Sequence, residues 1–211
     1  MVVFDNDGVL VDSEPIANGV LAGILTGYGI PTTTDEAIRD YMGGSMARVR
    51  DLNRARHRRE LPDDFEDVYH ERVFAAFRTD LAPVAGVAEL IDALAAEGVP
   101  YCVASSGTHE RIRLTLTTTG LRPRFPDAAL FSSQDVPRGK PAPDLFLLAA
   151  AKMGVAPKDC VVVEDSPLGV EAAAAAGMRV YGYTAMTPPE RLAAADARTG
   201  DMREMRRLLL G

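Results

Sequence analysis

Four polar clusters in this chain carry residue types that together could handle a phosphate ester. Asp5 and Asp7 stand two positions apart in Phe4-Asp5-Asn6-Asp7-Gly8-Val9-Leu10, just past a short apolar run. Ala104-Ser105-Ser106-Gly107 ends a second apolar run, Gly139-Lys140-Pro141-Ala142-Pro143-Asp144 follows a third, and Val163-Glu164-Asp165-Ser166 closes a fourth. Four carboxylates brought to one point do not all stay ionised without a cation. An oxygen donor set suits Mg2+, which takes a few carboxylates together with water and a substrate phosphate. One lysine and a small hydroxyl residue are then available to hold phosphate oxygens. A carboxylate can itself attack phosphorus, and a metal ion screens its repulsion from an anionic phosphate. Singly, each cluster has a plainer reading: a turn pair, a strand-end hydroxyl, a surface lysine, a helix cap. Their order, each after a strand-like run, is what points to a shared site.

Convergence requires a scaffold that aims all four clusters the same way. Five short apolar segments, Val2–Phe4, Val99–Ala104, Ala128–Phe131, Cys160–Val163 and Met178–Gly182, read as buried strands of a parallel sheet covered on both faces. Amphipathic helices alternate with them: Val87–Glu97, His109–Thr119 and Pro167–Ala176, each followed by a glycine that suits a helix stop. The β-α alternation predicts an α/β fold, a doubly wound parallel Rossmann-like sheet. Residues 14–81 break the rhythm and read as helix after helix: Ile16–Gly27, a second helix opened by a Thr33/Glu36 capping box, Met46–Arg58 and Asp64–Phe77. The expected division is a catalytic core of residues 1–13 and 82–211 with a helical cap of 14–81 inserted after the first strand. Open α/β sheets bind ligands at that end.

The chain has 211 residues and a net charge of −7, with 47% apolar and 25% charged residues. That is ordinary for a soluble enzyme and argues against nucleic acid as a partner. The apolar runs are too short to span a membrane, and no basic and apolar leader is visible at the start. Cys102 and Cys160 read as buried strand thiols, so a reducing cytoplasm is expected. The basic run Arg54-Ala-Arg56-His57-Arg58-Arg59 is read as a solvated helix face. A small phosphorylated metabolite is the expected partner, and a monomer is plausible.

As a set, FDNDGVLVDSE, VASSG, GKPAPDLF and VVVEDSPLGVEAAAAAGM resemble the haloacid dehalogenase superfamily, in its β-phosphoglucomutase-like phosphatase branch with a small helical cap. The resemblance covers nearly the whole chain. It implies a Mg2+-dependent phosphatase that passes through an aspartyl-phosphate. Asp5 would be nucleophile and metal ligand. Asp7 would be general acid/base, with its backbone carbonyl on the metal. Ser105, Ser106 and Lys140 would bind the phosphoryl group, and Glu164 and Asp165 would complete the metal site. Dehalogenases of the superfamily lack the second aspartate, present here as Asp7. Phosphonatases use a cap lysine, whereas the lysines here are Lys140, Lys152 and Lys158, all outside the cap. The mutases place a histidine and an arginine where this chain has Ala17 and Met46, although Arg48 stands close by. Phosphatase is therefore the leading reading. A sugar-phosphate mutase is the alternative, and a catalytically silent binding protein is the alternative of another class. Gly44, Ser45 and Arg48 in the cap and His109 in the core are candidates for substrate selection. A sugar phosphate or sugar-acid phosphate such as 6-phosphogluconate is the expected substrate.

Overall fold

The computed structural model describes residues 1–42 and 46–211. Residues Met1–Asp12 and Ala82–Gly211 form one compact unit and Ser13–Leu81 a second.

The first unit is built on a parallel sheet of β1 (Val2–Phe4), β2 (Tyr101–Ser105), β3 (Leu130–Ser132), β4 (Val161–Glu164), β5 (Arg179–Tyr183) and β6 (Ala197–Thr199), in the order β3-β2-β1-β4-β5-β6. That is the strand order of a doubly wound Rossmann-like sheet, so the expected fold class is found. The register aligns Phe4 with Val103 on one side and Val163 on the other. Asp5, the end of β2 and Glu164 therefore leave the sheet side by side. Val3, Cys102, Ala104, Val162 and Val180 are buried with Leu145, Phe146, Val170 and Ala173 of the helices that follow the strands. This explains the unbroken apolar character of the strands.

β1 falls where expected, the boundaries of β2 to β5 lie one or two residues from the expected ones, and β6 is an addition. Its Ala-Arg-Thr carries no apolar run, and it is recruited by pairing with β5 at the sheet edge. Among the described residues, β1 is followed by the second unit. The helices α5 (Val87–Ala96), α6 (His109–Thr118), α7 (Asp144–Met153), α8 (Pro167–Ala175) and α9 (Met202–Leu210) belong to the first.

The second unit comprises α1 (Glu14–Gly27), α2 (Thr34–Tyr41), α3 (Met46–His57) and α4 (Phe65–Asp80). The capping box at Thr33 forms: its hydroxyl accepts from the Glu36 amide at 3.2 Å and its amide donates to Glu36 at 2.8 Å. α1 packs against α4, and Leu21, Ile24 and Leu25 of the first and Phe65, Val73 and Phe77 of the second are buried. Two of the four arginines of the basic run are paired with acids within the unit. Arg54 pairs with Glu60 and Arg56 with Asp40, at 2.6 and 2.7 Å, and Arg59 donates to the Tyr28 carbonyl. No described helix is long and apolar enough to cross a membrane.

Candidate active site

At the carboxyl end of β1 and β4, Asp5, Glu164 and Asp165 each offer a carboxylate oxygen within 4.8 Å of the others, and all three are buried. The Asp5 amide donates to the Val163 carbonyl at 3.0 Å, which ties the loop after β1 to β4. A buried, all-oxygen cluster of this kind has the donor chemistry of a hard divalent cation such as Mg2+.

Lys140 joins the cluster from the loop that leads into α7. Its Nζ lies 2.6 Å from Asp5 Oδ1, 2.5 Å from Glu164 Oε1 and 3.0 Å from the Ala104 carbonyl, and 4.9 Å from the centre of the Phe146 ring. Its side chain is only 3% exposed. Burial alone would favour the neutral amine, but Asp5 and Glu164 outweigh it and push the lysine pKa above its ordinary value. Burial raises Asp5 to about 7, against the pull of Lys140 and with the added push of Glu164 and Asp7. The second oxygen of Glu164 accepts from the Ser166 amide and hydroxyl, both at 2.9 Å.

Two glycines leave room for these carboxylates. A Cβ at Gly8, whose φ is +77°, would overlap Asp165, and a Cβ at Gly169 in α8 would overlap Glu164.

Ser105 ends β2 with 1% exposure, and its hydroxyl accepts from the Gly107 amide at 3.0 Å. The Ser105–Gly107 loop is held from the end of β3: Ser133 donates to the Ser106 carbonyl and Ser132 to the Gly107 carbonyl, each at 2.7 Å. Asp7 is not one of the three clustered carboxylates, although its charge reaches Asp5. Its oxygens accept from Arg111 Nη2 at 2.6 Å, from Arg111 Nε at 3.2 Å and from Asn6 Nδ2 at 3.2 Å.

Asp5, Ser105, Lys140, Glu164 and Asp165 are thus brought to one end of one sheet, with Asp7 on the loop from the same strand. Lys140 reaches the cluster from well past β3, where the sequence pattern had placed its group at the strand end. His109 opens α6. Its Nε2 is 2.9 Å from Asp135 Oδ1 and its amide donates to the Gln134 side chain. Burial would raise Asp135, but the bonds from His109 and the Ser132 amide outweigh it and hold it below the usual carboxylate range. Arg48 lies in α3 of the second unit, and Gly44 and Ser45 lie outside the described residues. Sequence reasoning missed Arg111, Asn6 and the two accommodating glycines.

A family model described as haloacid dehalogenase-like hydrolase matches residues 1–177. The chain is 32% identical over 185 residues to a 6-phosphogluconate phosphatase of Escherichia coli, covering 87% of this chain and 82% of that protein. It is 32% identical over 182 residues to a phosphorylated carbohydrates phosphatase of Thermotoga maritima, covering 86% and 83%. A haloacid dehalogenase-like protein of unknown function from Agrobacterium tumefaciens superposes with a TM-score of 0.90 at 33% identity, covering 99% of this chain and 96% of that one.

Proposed function

Because the chain belongs to the haloacid dehalogenase-like hydrolases, and is a phosphoric monoester hydrolase with sugar-phosphate phosphatases among its relatives, we propose that it hydrolyses a sugar or sugar-acid phosphate through Asp5, with 6-phosphogluconate the first substrate to try. The observation that carries this reading is the buried trio Asp5, Glu164 and Asp165, with one lysine bonded to two of its members.

A carboxylate oxygen of Asp5 attacks phosphorus and the ester P–O bond breaks, giving an aspartyl-phosphate and an alkoxide leaving group. Asp7 gives that oxygen its proton. Asp7 then takes a proton from the water that attacks the same phosphorus, the Asp5–phosphorus bond breaks, and inorganic phosphate leaves. Lys140 and the Ser105–Ser106 turn hold the non-bridging oxygens, Lys140 being already placed beside Asp5. Asp5, Glu164 and Asp165 fit Mg2+, with the Asp7 backbone carbonyl added on the family pattern. Bound there, Mg2+ would screen the nucleophile from the incoming dianion.

The test is a panel of phosphorylated metabolites and an aryl phosphate, assayed with Mg2+ and with chelator. Release of inorganic phosphate that needs Mg2+, and a phosphoenzyme trapped by acid quench, is the expected result. Full turnover in chelator, or an isomerised sugar phosphate in place of free phosphate, overturns it.

A further inference from the structure

Asp7 shares a loop with Asp5, yet its carboxylate is directed to α6 and not into the acidic trio. Three features hold it there. Arg111, one turn into α6, presents Nε to both carboxylate oxygens and Nη2 to one. Asn6, fully buried, donates to the other oxygen and is itself fixed by the Thr115 hydroxyl at 3.1 Å, one turn further along the same helix. Gly107 clears the path for the arginine: a Cβ there would come 3.0 Å from Arg111 Cδ and 3.3 Å from Ser105 Oγ. Both Asp7 oxygens are thereby occupied by donors on the side of α6.

The oxygens of a free aspartate two residues from Asp5 would compete for any cation held by the trio, since hard cations take whatever carboxylate oxygens reach them. A carboxylate bound to the metal would be withdrawn from proton transfer. Building on the phosphatase reading above, we propose that Arg111 is a positioning residue, supported by Asn6 and Thr115, that keeps the Asp7 side chain out of the metal's coordination shell. The fork geometry of a guanidinium suits this, because it binds both oxygens in a fixed orientation.

The test measures Mg2+ binding to metal-free protein by calorimetry alongside turnover, for wild type, Arg111→Met, Asp7→Asn and the double variant. Arg111→Met should bind Mg2+ at least about threefold more tightly than wild type, and the gain should vanish in the Asp7→Asn background, a coupling of the size contacting residues show. Its kcat on an ester with a poor leaving group should fall about 10- to 100-fold, part of the contribution of a general acid/base. KM should change little, and an activated aryl phosphate should still yield phosphoenzyme. A gain that persists without the Asp7 carboxylate would mean that only a repelling charge had been removed, and the proposal would be overturned. Unchanged Mg2+ affinity and kcat in Arg111→Met would also overturn it. Should that variant fail to fold, Thr115→Val against Thr115→Ser decides: valine should move affinity and kcat in the same directions and serine restore both. Wild-type protein that neither binds Mg2+ nor forms a phosphoenzyme would instead defeat the phosphatase reading itself.

Discussion

The carboxylate of Glu164 lies against the backbone of Gly169, so closely that no side chain larger than hydrogen fits between them. Glu164 is fully buried, held at one oxygen by Lys140 and at the other by Ser166, and the first turn of α8 closes the remaining side. A buried carboxylate confined on every side serves as a fixed ligand or a fixed partner for the lysine. It has no freedom for a moving proton carrier.

Gly169→Ala tests that confinement. Alanine in place of a helical glycine is ordinarily neutral or stabilising, by up to ~1 kcal/mol. Here the methyl group must displace Glu164, and overpacking of this kind costs about 1–3 kcal/mol. The expected outcome is a lower Tm, a weaker response to Mg2+ and a marked loss of kcat. A rise in Tm with activity intact would show that Glu164 has room to move.

Asp5→Asn and Asp7→Asn should fail in different ways. Asp5→Asn removes the proposed attacking oxygen, so acid quench should recover no phosphoenzyme. Asp7→Asn should keep Mg2+ binding and lose about 10²–10⁴-fold in kcat on poor leaving groups. Esters with activated leaving groups should suffer less in the first step and accumulate phosphoenzyme. Near-normal turnover in Asp5→Asn would remove it as nucleophile.

Asp5 also gives a stability signature in the metal-free protein. Burial places its folded pKa at about 7, above the ordinary 3.8. Between those values the folded state binds more protons than the unfolded state, so this group makes stability fall as pH rises from about 4 to about 7. Asp5→Asn should flatten that part of the profile, and saturating Mg2+, which favours the ionised carboxylate, should move the loss to lower pH. Denaturant melts at several pH values read this directly. An identical slope in wild type and variant would show that the folded state does not raise the Asp5 pKa.

The sheet and the converging clusters were legible because parallel strands buried on both faces are written as unbroken apolar runs, and their carboxyl ends must face one way. Asp5, Ser105, Glu164 and Asp165 inherit their placement from that rule. Arg111 does not: it meets Asp7 across 104 residues of sequence, and only the phase of α6 against the loop after β1 decides which face of the helix is turned inward. Gly169 left a fainter signal, a lone glycine within an alanine-rich helix, which often marks a close approach. What it approaches could not be read, because Glu164 bends back over the helix start through its bonds to Ser166. β6 was missed because edge pairing, not an apolar run, defines it.

Lys140 has two proposed tasks that Mg2+ should separate. Its ammonium neutralises Asp5 and Glu164 in a site where all three side chains are at most 10% exposed. Removing one member of such a buried pair typically costs about 3–5 kcal/mol, because the opposite charge stays behind unpaired. Lys140→Met keeps most of the side chain's length and removes the charge, with its place over the Phe146 ring, so the metal-free variant should melt well below wild type. Mg2+ bound to the trio would supply a replacement charge, and ligand binding adds about 2.7 kcal/mol at a hundredfold excess over Kd. The Mg2+-induced rise in Tm should therefore be larger in Lys140→Met than in wild type. Activity should not follow. The second task, holding a phosphoryl oxygen next to Asp5, has no substitute once the ammonium is gone, so kcat/KM should stay down by about 10²–10³-fold, as when one preorganised donor is lost. Thermal melts and turnover measured over one Mg2+ titration distinguish the outcomes. If activity returned in step with Tm, the lysine would be a structural counter-charge alone, and the phosphoryl oxygens would have to be held by Ser105, Ser106 and the metal.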